Sequence, residues 1–156
     1  MKTALREQHL KLFYELLLQL ETQVGGKRLL RDCHGRMTWP DRGVYFFFEK
    51  GETRHFDSAS LRVVRVGTHA VSIGSKSTLW GRLKQHQGIA SGGGNHRGSI
   101  FRHHVGAALM IQNNLTCSSW LDRNSRGKQV QAAEANLEKQ VSTLYWQHAC
   151  SLVRRE

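Results

Sequence analysis

The sequence predicts a mixed fold of the α/β (α+β) class, on three observations. Two β-rich runs, over residues 43–48 and 61–67, lie close together in the chain, and such neighbours pair antiparallel. Apolar residues recur at helical spacing near both ends, over residues 3–23 and 130–145. The chain has 156 residues, which suits one domain. A domain of that size buries roughly 68–70% of its unfolded surface and needs no disulfide staple.

The elements follow in order. Leu5, Leu10, Phe13, Leu17, Leu20 and Val24 give the first helix its apolar stripe, and Gly25 and Gly26 end it. Residues 27–42 are basic and irregular and hold the only proline, Pro40. Gly43 opens the aromatic, β-branched run Val44, Tyr45, Phe46, Phe47, Phe48, a strand buried on at least one face. Residues 49–52 read as a turn, and 61–67 as the second strand. A loop is expected over 68–76. Ser77 or Thr78 then caps a helix over 79–86, on which Leu79 and Leu83 share one face and Arg82 and His86 a neighbouring one. A mobile loop follows, carrying Gly88, Gly92, Gly93, Gly94 and Gly98. A helix is expected over 100–111, a short strand over 116–121 and a last helix over 130–145, where Val130, Ala133, Leu137, Val141 and Leu144 keep the period. No internal repeat or linker is visible. The whole chain, 1–156, is expected to be one domain, with 1–38 a helical extension and 43–145 the core.

Charge narrows the function. The chain carries 23 Lys+Arg against 12 Asp+Glu, a formal +11, and no acidic residue stands between Asp57 and Asp122. That stretch holds Arg62, Arg65, Lys76, Arg82, Lys84, Arg97 and Arg102, with His69, His86, His96, His103 and His104. A face of one sign attracts polyanions and gains affinity by releasing their counterions. Nucleic acid is the leading partner. A basic surface kept for solubility is the plain alternative. At 39% apolar and 22% charged, the composition is that of a globular protein. No apolar run approaches the ~18 residues of a membrane span, and the N-terminus has no secretory pattern. Cys33, Cys117 and Cys150 are odd in number and far apart, so a reducing cytoplasm is the default.

Phosphodiester hydrolysis needs an activated water, charge stabilisation at phosphorus and help for the leaving oxygen. Arg82 and His86 supply basic groups, Tyr45 a phenol for proton transfer, and Glu134 and Glu138 the carboxylates, one turn apart. Each has a plain reading as well: a packed strand tyrosine, a solvated helix face, surface glutamates. Gly92, Gly93 and Gly94, followed by His96 and Arg97, form either a plain loop or a phosphate-contacting one. Three other chemistries are set aside. The segment 74–78 lacks the contiguous Gly-Lys-Ser/Thr of a P-loop. Cys117 with His103 or His104 has no zinc spacing. Asn95-His96 alone is too little for an HNH-type nuclease.

Gly43-Val44-Tyr45 resembles the first triplet of the GIY-YIG nuclease superfamily, and Arg65-Val66-Gly67 stands where the second triplet ends the second strand. Arg82 followed four residues later by His86 is similar to the family's Arg/His helix, and Glu134 through Glu138 to its metal-binding helix. The likeness is nearest to a poorly characterised prokaryotic branch. It implies a three-stranded antiparallel sheet flanked by helices, here with an added N-terminal helix, and DNA cleavage with one divalent metal, Mg²⁺ or Mn²⁺. Tyr45 would be the base or water-orienting group, Arg82 would stabilise the phosphoryl transition state, and His86 would assist proton transfer. Glu138 or Glu134 would hold the metal, with Glu138 preferred because Leu137 and Val141 fit the family's apolar-Glu pattern. Arg65, His69, Lys76, Lys84, His96, Arg97 and Arg102 are the expected nucleic-acid contacts, with DNA ahead of RNA. The chain departs from the pattern in three places: Arg65 replaces a tyrosine, 19 residues separate Tyr45 from Arg65, and the asparagine often found after the family's metal glutamate has no counterpart. A weak or inactive nucleic-acid-binding module on the same fold is the alternative. A protein-interaction domain with incidental charge is the third option.

Overall fold

The computed structural model describes residues 2–40, 43–69, 74, 77–122, 124–147 and 149–154. Helix α1 (Lys2–Gln23) leads into a two-residue strand β1 (Arg28–Leu29). The hairpin β2 (Gly43–Arg54) and β3 (Asp57–His69) follows, then α2 (Leu79–Gln87), α3 (Ile100–Gln112), α4 (Ser118–Leu121), α5 (Lys128–Trp146) and β4 (Ala149–Arg154). The sheet order is β1-β4-β2-β3 with every pair antiparallel. The expected three-stranded antiparallel sheet is therefore β4-β2-β3, extended at one edge by β1. Among the described residues no helix is long and apolar enough to cross a membrane.

Strand β2 is buried on both faces, which explains its unbroken aromatic run. Tyr45 and Phe47 point to a core with Leu79 and Leu83 of α2, Trp120 of α4, and Leu137, Val141 and Tyr145 of α5. Phe46 and Phe48 point the other way, onto Tyr14 and Leu17 of α1. Alternation along the strand requires a cover on each side, and α1 is the second cover. Its stripe is narrower than the sequence suggests: Phe13, Tyr14 and Leu17 pack, whereas Leu5 is exposed.

The hairpin carries a bulge that matters to the site. Phe47 pairs with Arg65 but Phe48 pairs with Val63, so β3 slips by one residue at Val64. Both Val64 and Arg65 then lie on the Phe47 side: Val64 packs on that core and the Arg65 guanidinium sits over Phe101. The Val63 N–H donates to Tyr14 Oη at 3.1 Å.

Several expectations change. Residues 49–52 are not a turn. β2 runs on to Arg54 and the reversal falls at residues 55–56, with Gly51 at φ 92° forming an irregularity in the ladder and Arg62 paired to Glu52 across it. β3 reaches His69, and most of the expected loop after it lies outside the described residues. Residues 116–121 hold a short helix rather than a strand. Trp120 docks on α3 where Gly106 leaves room, its Nε1 donating to the His103 carbonyl at 3.0 Å. The glycine loop is tethered to α5: the Ser142 hydroxyl donates to the Gly93 carbonyl at 2.8 Å. Strand β4 had no sequence signal. It is held by backbone ladders on both sides, which no side-chain pattern reports.

Leu17→Ala is expected to cost about 2–5 kcal/mol, the range for emptying a buried leucine site. A urea titration of the full chain measures it. A cost near zero would mean that α1 does not seal the sheet.

Candidate active site

Tyr45 leaves β2 opposite Gly67 of β3, and its ring lies flat on that glycine, where any Cβ would collide with it. The phenol reaches α2: Tyr45 Oη stands 2.8 Å from His86 Nε2. The other ring nitrogen, Nδ1, stands 2.9 Å from Ser99 Oγ, the side chain that caps α3. Thr78 caps α2, accepting the Gly81 N–H at 3.1 Å, and so sets which residues of α2 face the sheet. His86 is wholly buried in an aromatic box, with Tyr145 stacked on it and Phe47 and Phe101 edge-on. Burial, followed by the charges of Arg82, Arg65 and Arg102, pushes its pKa down to about 3. The imidazole is therefore neutral near pH 7. The same burial raises the Tyr145 phenol.

Arg82 and Arg65 have no carboxylate partner among the described residues. Arg82 donates to Gln85 Oε1 at 2.9 Å and to the Gly98 carbonyl at 3.3 Å. Arg65 lies 4.1 Å above the Phe101 ring, and its buried Nε has no hydrogen-bond partner among the described residues. The charges of both lower the proton affinity of the His86 ring, and Phe101, which carries Arg65, is one wall of the box around that ring.

The carboxylates come from α5. Glu138 Oε1 accepts the His96 backbone N–H at 2.6 Å and His96 Nδ1 at 3.0 Å. Oε2 accepts Arg102 Nε at 3.1 Å and Nη2 at 2.5 Å. Arg102 also donates to the His86 carbonyl at 2.7 Å and to Ser142 Oγ at 3.0 Å. Glu134 is gripped by the Arg97 fork at 2.6 and 2.7 Å, and that hydrogen bonding lowers its pKa. Glu134, Arg97 and Gly98 line a cleft of about 610 Å³ between the glycine loop and the start of α5.

The sequence-selected residues thus divide. Tyr45 and His86 meet directly, and Arg82 reaches the three-residue turn His96–Gly98, whose His96 and Arg97 hold Glu138 and Glu134. His96 and Arg102 are corrections. They are 1% and 0% exposed, His96 stacks on Trp120 at 3.8 Å, and their donors serve Glu138, so neither meets a nucleic acid. His69 is also buried, with Nε2 unpartnered among the described residues, and presents no surface to a polyanion. Lys84 is exposed, Arg97 faces the cleft while paired, and Lys76 lies outside the described residues. Sequence reading missed Ser99, Ser142 and Tyr145. The spacing Ser99-x-x-Arg102, a cap followed by a basic residue at the helix start, was the available signal.

The GIY-YIG domain model matches residues 4–154. The chain belongs to the GIY-YIG family. No curated protein and no solved structure matches it. The match includes α1, so the helix that covers the second face of the sheet falls within the GIY-YIG domain rather than outside it. The GIY-YIG domain indicates a nuclease in general terms, acting on nucleic acid, and the family is generally dependent on a divalent metal.

The glutamates fit such an ion unequally. Among the described residues no three His, Cys, Asp or Glu side chains gather as a ready cation site. A carboxylate offers about four lone-pair positions. Those of Glu138 accept four hydrogen bonds from His96 and Arg102, so an ion at Glu138 would have to displace one of them. Both glutamates line the cleft, and Glu134, which is ionised, fits once Arg97 turns to another anion.

Two measurements test this division. Glu138→Ala leaves a wholly buried arginine unpaired and is expected to cost about 3–5 kcal/mol, while Glu134→Ala is expected to cost less because Arg97 keeps some contact with solvent. Equal costs in denaturant titrations would refute it. His86 is neutral in the fold but takes a proton in the unfolded chain below about pH 6.5. Its contribution to stability is complete above that value and is lost as pH falls toward about 3. The stability gap between wild type and His86→Gln should narrow across that window, and a gap independent of pH would show that the imidazole is not held neutral.

Proposed function

We propose that this chain is an endonuclease hydrolysing DNA phosphodiester bonds with Mg²⁺ or Mn²⁺. The observation that carries the reading is the Tyr45–His86 hydrogen bond, together with the charges of Arg65 and Arg82, which act on the His86 ring and have no carboxylate partner among the described residues. Two uncompensated cations beside an oriented phenol suit a phosphate on which negative charge grows. Water attacks phosphorus, a P–O bond forms, and the ester bond to the leaving oxygen breaks. Tyr45 orients the attacking water. Arg82 and Arg65 hold the non-bridging oxygens as their charge rises. The cation, held by Glu134, would supply Lewis acidity at the phosphate. Residues 1–156 act as one domain, with 1–38 covering the sheet and 43–145 carrying the chemistry.

A second reading is a nucleic-acid-binding module of weak or no activity. Tyr45 and His86 are 1% and 0% exposed, and Arg65 stands where the family carries a second tyrosine.

Cleavage of supercoiled, linear and branched DNA with Mg²⁺ or Mn²⁺ separates the two. Metal-dependent cleavage that falls about 10²–10³-fold in Arg82→Ala, with the fold intact, is the expected outcome. Salt-sensitive binding without cleavage would establish the module instead, and RNA in place of DNA tests the substrate class.

A further inference from the structure

We propose that Trp39 and Trp80 form a stacking platform for an unpaired base, so that the nucleic acid this chain takes carries a single-stranded segment beside the site. This rests on the nuclease reading for the class of ligand and goes beyond it in naming the state of the strand.

The two indoles stack with 5.2 Å between ring centroids and 19° between planes. Trp80 comes from the first turn of α2, and Trp39 from the loop between β1 and β2. That loop is held in place. Gln87 of α2 donates to the Leu30 and Cys33 carbonyls at 2.8 and 3.1 Å, and Trp39 Nε1 donates to the His34 carbonyl at 2.8 Å. The loop backbone lies against Trp80 at Gly35, where a Cβ would stand 2.7 Å from the indole nitrogen. Both rings pack at the margin of the core yet stay partly exposed, unlike Trp120, which is wholly buried. An aromatic stack that is fixed in place and open in part to water suits an unpaired base, because every base has a π face to add to it.

Charge favours the same occupant. Lys84 lies one turn along α2 from Trp80, on the same side of the helix, and Arg36 lies within the Trp39 loop. Both are exposed, and neither has a carboxylate partner among the described residues. They are placed to meet phosphates on either side of a stacked base. Helix α2 also joins the platform to the candidate site. Its buried residues are Leu79, Leu83 and His86, so Trp80 and Arg82 stand on its two flanks, with Gly81 on the outward ridge between them. Without a side chain at Gly81 that ridge is low. A helix is about 10 Å across, and a stacked strand advances about 3.4 Å per nucleotide. About three nucleotides therefore reach from Arg82 to Trp80. One strand crossing α2 can set a phosphate at Arg82 and a base on the tryptophans, provided that the base is free of its complement.

Fluorescence anisotropy with the full chain in EDTA reads binding apart from cleavage. The probes are a labelled oligothymidylate of about 12 nucleotides, within the range of single-strand sites, and a duplex of equal length. Trp39→Leu and Trp80→Leu keep apolar packing but lose the π face. Each is expected to weaken oligothymidylate binding about 10-fold and to leave duplex binding unchanged, and Trp39→Phe to recover most of the loss. Unchanged oligothymidylate affinity in the leucine variants, or an equal loss on both probes, overturns the proposal. The wild type decides the matter if the variants fail to fold. Oligothymidylate carrying one 5-iododeoxyuridine is photo-crosslinked to it, and the attachment is mapped by mass spectrometry. A crosslink at Trp39 or Trp80 is expected, and its absence from both overturns the platform. Wild type that binds the duplex but not oligothymidylate rejects the platform and leaves the nuclease reading standing, whereas binding to neither probe rejects both.

Discussion

Arg102 is a charged side chain with no exposure to solvent, and a guanidinium in that position persists only if its donors are met. They are met from three elements. Glu138 and Ser142 come from α5, and the His86 carbonyl from the end of α2, while Arg102 itself belongs to the first turn of α3. The three helices that carry the candidate site are thereby fixed to one planar group. Its fork geometry limits how far any of them can rotate. Such a network is not cheap stability, because ion pairs of this kind often break even against apolar packing. What it provides here is a defined mutual placement of His86 and the glycine loop.

The sheet imposes the complementary constraint. Tyr45 must face the helices while Phe46 and Phe48 on the same strand are kept from water by α1. A slip of β2 by one residue would exchange the two faces and remove the phenol from the site. The bulge at Val64 works within that register. It lets Arg65 share the Phe47 side without displacing Val64 from the core, and so brings a cation to the position that would otherwise lie one residue out of phase.

Much of this was legible in the chain. The strand around Tyr45, the helix bearing Arg82 and His86, and the glutamate helix all carry local signals: β-branched and aromatic runs, a Thr78 cap and an apolar period. What was hidden depends on partners distant in sequence. Strand β4 forms because β1 and β2 offer it ladders, and residues 118–121 become a helix because Trp120 finds the gap at Gly106. Ser99 looked like any loop serine, since its role exists only when His86 stands beside it, thirteen residues away. Glu138 and Glu134 have the same spacing to apolar neighbours, and only the placement of Arg102 and His96 tells them apart.

The charge count changes most in three dimensions. Sequence gives a 64-residue stretch with no acid, yet its arginines are not all free. Arg97 and Arg102 are neutralised by Glu134 and Glu138 from α5, and Arg62 by Glu52 across the hairpin. Arg65 and Arg82 have no carboxylate partner among the described residues and rest instead on an aromatic ring and a backbone carbonyl. Unpaired charges destabilise a fold through their mutual repulsion, and these two also act on a buried imidazole. A phosphate that competes with Glu134 for the Arg97 fork would expose a carboxylate on the wall of the cleft, so that the polyanion and a cation would assist one another's binding.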